Sequence, residues 1–169
     1  RSMKGMLADC LDAGALGMST GLQYFPGLAA DDDELTVLAE LLAAKDAVLT
    51  SHLRSYSNTL PEAIDELMSL SRRTGVRSQI SHLFWVPHVN LVVDRALSEV
   101  LRWGATVYKH LKVPLPLDVA MRGKLRYIDD EVAKGVPIGV DAMPTGAGFT
   151  HAFAFFPPWA LEGSKEAIV

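Results

Sequence analysis

Along the chain, short apolar strings that border on glycine alternate with stretches of helical periodicity. Met3, Met6, Leu7, Cys10 and Leu11 recur at helical spacing and stop at Gly14, which predicts a helix over residues 3–12. Ala15, Leu16, Gly17 and Met18 read as a short buried strand. Gly21, Pro26 and Gly27 punctuate a loop. Asp31 then supplies an N-cap, and Asp32, Asp33 and Glu34 place carboxylates in the first turn of a helix running to about Ala44. Residues 47–50 form the next strand. Pro61 at a first helical turn, followed by Ala63, Ile64, Leu67, Met68 and Leu70, predicts an amphipathic helix ending near Gly75. Residues 76–80 are a further strand, and residues 135–140 lead to Asp141 in the same way. Between these, 89–103 has a helical pattern, Pro114 and Pro116 break the chain, and 118–134 is helical again. Residues 105–108 suit a strand or a helix end equally well.

Strand alternating with helix predicts an α/β fold whose parallel strands are joined by right-handed crossovers. The strand ends near residues 18, 51 and 81 lie about thirty residues apart, one βα unit each. Four or five such units suit a small open sheet or an arc of an eight-stranded barrel. A complete barrel takes about 250 residues, and 169 fall short by roughly three units.

Composition narrows the function classes. Sixteen Lys+Arg against 20 Asp+Glu give a net charge of −4, which argues against binding a phosphate backbone. The single cysteine, Cys10, excludes an internal disulfide and a multi-cysteine zinc site, and fits a reducing, cytoplasmic setting. On its helix face Cys10 is expected to be buried rather than used as a nucleophile. No apolar run approaches the roughly 18 residues of a membrane helix, and Arg1-Ser2-Met3-Lys4 leads into no signal-peptide core. Arg1 in place of an initiator Met fits a piece of a longer protein.

The chemistry centres on two histidines. Ser51-His52-Leu53 and Ser81-His82-Leu83 repeat one tripeptide at the C-terminal ends of successive strands, the end where parallel α/β sheets hold their ligands. Neighbouring strands run roughly 4.8 Å apart. Both imidazoles can then reach one metal at the usual ~2.1 Å zinc–nitrogen distance. The competing reading is a pair of histidines hydrogen-bonded at strand ends without metal. Lys109-His110-Leu111 echoes the tripeptide, but its flanking lysines suit a surface segment. His88 reads as a loop residue and His151 as packed or capping. The loop from Gly17 to Pro26 carries small and hydroxyl residues that let backbone approach a ligand, and Tyr24 can add a hydrogen bond and a packing ring. Neither a P-loop nor a GxSxG elbow is present. Arg54, two residues beyond His52, can pair with a substrate carboxylate, although a surface role suits it nearly as well.

The ordered set Gly14–Tyr24, Ser51-His52-Leu53-Arg54, Gln79-Ile80-Ser81-His82-Leu83 and Asp141-Ala142-Met143-Pro144 resembles the D-aminoacylase (N-acyl-D-amino-acid deacylase) branch of the metal-dependent amidohydrolase superfamily. The resemblance spans nearly the whole chain outside a helical insertion at about 89–117. It implies a partial TIM-like (β/α) barrel in which His52 and His82 match two metal ligands on successive strands. It also implies one or two Zn²⁺ ions in the intact parent and hydrolysis of an N-acyl-amino-acid-like amide. The family's His-x-His, its bridging ligand and its late-strand general base are absent from these 169 residues. Phe84 stands where the family often has Lys, and Met143 replaces the Tyr that would polarise the scissile carbonyl.

The resulting expectation is an interior segment, residues 1–169, of an amidohydrolase catalytic barrel, inactive alone and without a catalytic base of its own. Its metal ligands would be His52 and His82, its substrate-binding residues Tyr24 and Arg54, and its substrate a small molecule rather than a nucleic acid or membrane. An open sheet with helices on one side would leave an apolar inner face, with Val48, Leu49, Val76, Ile80, Ile138 and Val140 bordering uncovered surface. The rivals are a non-catalytic α/β ligand-binding domain and a metal-independent barrel enzyme.

Overall fold

The computed structural model describes residues 2–85, 116–143 and 150. Its elements run α1 (Met3–Asp12), β1 (Gly17–Gly21), α2 (Asp32–Ala44), β2 (Val48–His52), α3 (Leu60–Thr74), β3 (Arg77–Ile80), α4 (Pro116–Ala133) and β4 (Ile138–Val140), with a 3-10 turn at Gly27–Ala29. The four strands are parallel and lie in sequence order, β1-β2-β3-β4. A doubly wound sheet reverses its strand order at a switch point, whereas a barrel adds each strand beside the last. This sheet has no reversal and is laid out as an arc of a barrel.

Local sequence accounts for the element ends. Ser2 accepts from the Gly5 N–H at the start of α1, and Asp31 accepts from the Glu34 N–H at 2.8 Å at the start of α2. Pro61 lies in the first turn of α3, and Arg72 and Arg73 lie in its last, favourably placed against the helix dipole. Gly75 closes α3 at φ 73°, a backbone conformation that costs glycine nothing. Pro116 begins α4 rather than interrupting the chain, because a proline in the first turn forfeits an N–H that has no helical partner.

Helices α2 and α3 pack on each other and cover one face of the sheet at β2 and β3. Leu38, Leu42, Leu49, Ile64, Leu67, Met68, Val76 and Ile80 form the centre of that core. Leu49, Val76, Ile80 and Ile138 are therefore buried, not exposed at an uncovered border as the sequence suggested; of the six, Val140 is exposed and Val48 half-buried. The opposite face carries Val48, Thr50, His52 and Gln79, all half-buried, so it is mixed rather than apolar. Two other expectations are corrected. Leu16 is 88% exposed and precedes the strand, which starts at Gly17. Cys10 is exposed, because α1 turns Leu7 to the core and leaves its thiol-bearing side in solvent. The patterns at 89–103 and 105–108, most of the proposed insertion, and His88, His110 and His151 lie outside the described residues.

Candidate metal-binding site

Strand alternation decides where His52 points. Ser51 is fully buried under the helices, where its hydroxyl accepts from Thr20 Oγ1 at 2.9 Å, so His52, the next residue, faces the other way. His82 reaches the same place by a different route. It lies two residues beyond β3 with φ 41°, and its backbone N–H donates to Asp141 Oδ1 at the end of β4. The other Asp141 oxygen accepts from Gln79 Nε2 at 3.0 Å, and its main chain bonds Leu83 and Ile80. The His82 N–H and Gln79 together hold the Asp141 carboxyl below the usual carboxylate range.

The two imidazoles meet as the repeated tripeptide suggested. His52 Nδ1 lies 3.0 Å from His82 Nε2. On its far side His52 Nε2 is 2.7 Å from Gln23 Oε1. An amide oxygen only accepts, so the His52 proton is on Nε2 and a lone pair on Nδ1 faces His82. His82 Nδ1 is buried with no hydrogen-bond partner. If His82 Nδ1 carries the ring proton, two lone pairs converge at 3.0 Å, an arrangement that a cation between them satisfies. Two nitrogens on one tetrahedral zinc stand about 3.4 Å apart, a few tenths of an ångström from the separation seen here. As a pair of imidazole donors the two nitrogens fit a zinc ion. Among the described residues no third His, Cys, Asp or Glu joins them.

Burial and the neighbouring His82 push the His52 imidazole down to about 4. It is therefore neutral near pH 7, the form that coordinates metal. Aromatic rings enclose the pair. Tyr24 lies 4.7 Å from the His52 ring, and Tyr56 touches His52 edge-on at 4.8 Å and His82 at 5.3 Å. Phe84 stacks on Tyr56 at 4.5 Å. Tyr24 also shares a 2.9 Å hydrogen bond with Thr150, which brings a distant part of the chain to the site.

Arg54 is turned to partners within the chain. Its guanidinium pairs with both oxygens of Glu66 and donates to the carbonyls of Leu28 and Ala30. It thereby ties the Gln23–Tyr24 loop to α3. Sequence reasoning missed Gln23, Tyr56 and Asp141 as neighbours of the histidines. The first lay inside the quoted loop motif and Asp141 at a strand end, but Tyr56 carried no signal.

In sequence and in overall fold the chain is similar to known deacylases. An N-acyl-D-glutamate deacylase of Alcaligenes xylosoxydans xylosoxydans is 48% identical over 82 residues, covering 48% of this chain and 17% of the relative. The N-acyl-D-aspartate deacylase of the same organism is 33% identical over 82 residues, covering 48% of this chain and 16% of the relative. The solved N-acyl-D-glutamate deacylase of Bordetella bronchiseptica, complexed with zinc and a phosphonate mimic of the tetrahedral intermediate, superposes with a TM-score of 0.63 at 28% identity. That match covers 85% of this chain and 24% of the other. The chain resembles the D-aminoacylase branch of the amidohydrolases. Its parallel sheet is part of their barrel fold. The matched 82 residues span about a sixth of the length of these curated deacylases. No protein-family model matches it.

Proposed function

We propose that the chain is an interior segment of a zinc-dependent amidohydrolase that cleaves an N-acyl-amino-acid amide, with His52 Nδ1 and His82 Nε2 as two ligands of a site holding one or two zinc ions. The observation that carries this reading is the 3.0 Å approach of those two nitrogens at the C-terminal end of adjacent parallel strands. Zinc, when bound, supplies Lewis acidity for the amide carbonyl and acidifies water for attack on it. The chain's own part is to bind and orient. Gln23 fixes the His52 tautomer, Tyr24 presents a ring and hydroxyl beside the pair, and Asp141 holds the His82 backbone.

Arg54 reads best as a support for the loop, since Glu66 and two carbonyls already take its donors; a direct contact with a substrate carboxylate is the other role open to it. No described residue serves as general base, because Asp141 is committed to His82 and Gln79. A small molecule is the substrate class, and neither a nucleic acid nor a membrane fits as partner; net charge −4 supports the first exclusion, and no described helix is long and apolar enough to cross a bilayer. A cytoplasmic location is the setting that the exposed, free Cys10 favours.

The alternative is a ligand-binding domain in which His52 and His82 simply hydrogen-bond each other. The direct test is hydrolysis of N-acetyl-D-glutamate, N-acetyl-D-aspartate and their L counterparts by the full-length protein. Turnover that a chelator abolishes and zinc restores is expected, and the isolated 169-residue chain is expected to show none. A full-length protein that binds zinc but turns over no N-acyl amino acid overturns the activity; one that binds none supports the hydrogen-bonded alternative.

A further inference from the structure

The two strands that lead to the histidines stop pairing just where those side chains need to be fixed. The parallel ladder between β2 and β3 ends at Ser51 and Ile80, with one more bond from the Ser81 N–H to the Ser51 carbonyl at 3.0 Å. Beyond it His82 turns to φ 41°, which no continuing strand adopts. At this point the Leu53 N–H donates to the Tyr56 hydroxyl at 2.9 Å, and that hydroxyl donates to the Ser81 carbonyl at 2.8 Å. Leu53 directly follows His52 and Ser81 directly precedes His82. A phenol thus takes the place of the next rung of the ladder.

We infer that Tyr56 is a positioning residue that sets the spacing of His52 and His82, its hydroxyl bridging the two strand exits and its ring wedged against both imidazoles. The residue is 3% exposed, so the bridge does not compete with water. Phe84, stacked on the outer face at 4.5 Å and parallel within 1°, stops the ring from tilting away. The role of Tyr56 rests on the reading that the two histidines act as a pair on one ligand.

The test uses Tyr56→Phe in the full-length protein, because it removes the hydroxyl and keeps the ring. Ser71→Ala is the control: it deletes an equally buried hydrogen bond, Ser71 to Ser78 at 2.6 Å, between α3 and β3. Histidine ring ¹⁵N shifts are read in the metal-free protein, and zinc affinity by chelator competition. Wild type should show His52 as a fixed Nε2–H tautomer. Tyr56→Phe should shift the His52 and His82 ring signals toward averaged tautomers and weaken zinc by about tenfold or more. Ser71→Ala should lower the melting temperature and change neither. Unaltered ring signals and zinc affinity in Tyr56→Phe overturn the inference. Should that variant not accumulate as folded protein, the wild-type hydroxyl proton decides: slow exchange with cross-relaxation to the Leu53 amide and both imidazoles supports the bridge, and its absence refutes it. A wild type that binds no zinc, yet loses its fixed tautomer in Tyr56→Phe, ends the zinc reading and leaves the positioning role standing.

Discussion

His52 Nδ1 and His82 Nε2 face each other across 3.0 Å although the residues are thirty apart in sequence and their backbones differ in kind. His52 is the last residue of a regular strand, while His82 sits at positive φ beyond the end of one. Equivalent tripeptides therefore reach one point by unlike routes, and each histidine has its own support. Gln23 serves the first and Asp141 the second.

Replacing Gln23 with Leu removes the acceptor that holds the His52 proton on Nε2. Partners of this kind are commonly worth 10- to 100-fold in metal affinity, so the zinc dissociation constant should rise by about that factor. Gln23→Glu keeps an acceptor and should retain the affinity. Chelator competition on the two variants measures this, and equal affinities would remove Gln23 from the site.

The His52 imidazole falls from 6.5 to about 4 on folding, chiefly through burial. A depressed pKa stabilises the fold most above the unfolded value, and that contribution drains away as pH falls from 6.5 through 4. The metal-free wild type should therefore lose melting temperature over this window more steeply than His52→Gln, which has nothing to titrate. Parallel profiles for the two proteins would show that His52 is not desolvated.

Asp141 tests the backbone of His82. Asp141→Ala leaves the His82 N–H without its carboxylate at a strained φ, and should cost about 1–2 kcal/mol in denaturant unfolding. Asp141→Asn retains an acceptor oxygen and should cost less. An alanine variant as stable as wild type would mean that the positive φ of His82 is held by other contacts.

Arg54→Lys separates the two roles open to that residue. Lysine cannot reproduce the paired contact with Glu66 while also reaching the Leu28 and Ala30 carbonyls. A loop support predicts a lower melting temperature and weaker zinc binding as Gln23 and Tyr24 lose their anchor. A raised KM for an acidic N-acyl amino acid, with melting temperature and zinc unchanged, would assign Arg54 to the substrate instead.

The elements of this fold were legible where chain chemistry is local. Asp31 as a cap, Pro61 in a first turn, Gly75 as a stop and the Ser-His-Leu repeat each carry their meaning within a few residues. The sequence misled where burial depends on what packs opposite. Leu16 looked like strand interior and is exposed, while Ile80 and Ile138 looked like border residues and are buried. Gln23 and Asp141 act through partners 29 and 59 residues away, Tyr56 joins Leu53 to Ser81, 25 residues beyond the tyrosine, and no spacing rule links such positions. The histidines were visible because they repeat; their supports do not repeat.

Anomalous diffraction at the zinc edge, from crystals of the full-length protein grown with zinc, reads the site itself. A peak about 2.1 Å from both His52 Nδ1 and His82 Nε2, absent in His52→Ala/His82→Ala, is the result expected. Zinc bound elsewhere, or two rings still joined by a direct hydrogen bond with no peak between them, would contradict a metal site on these strands.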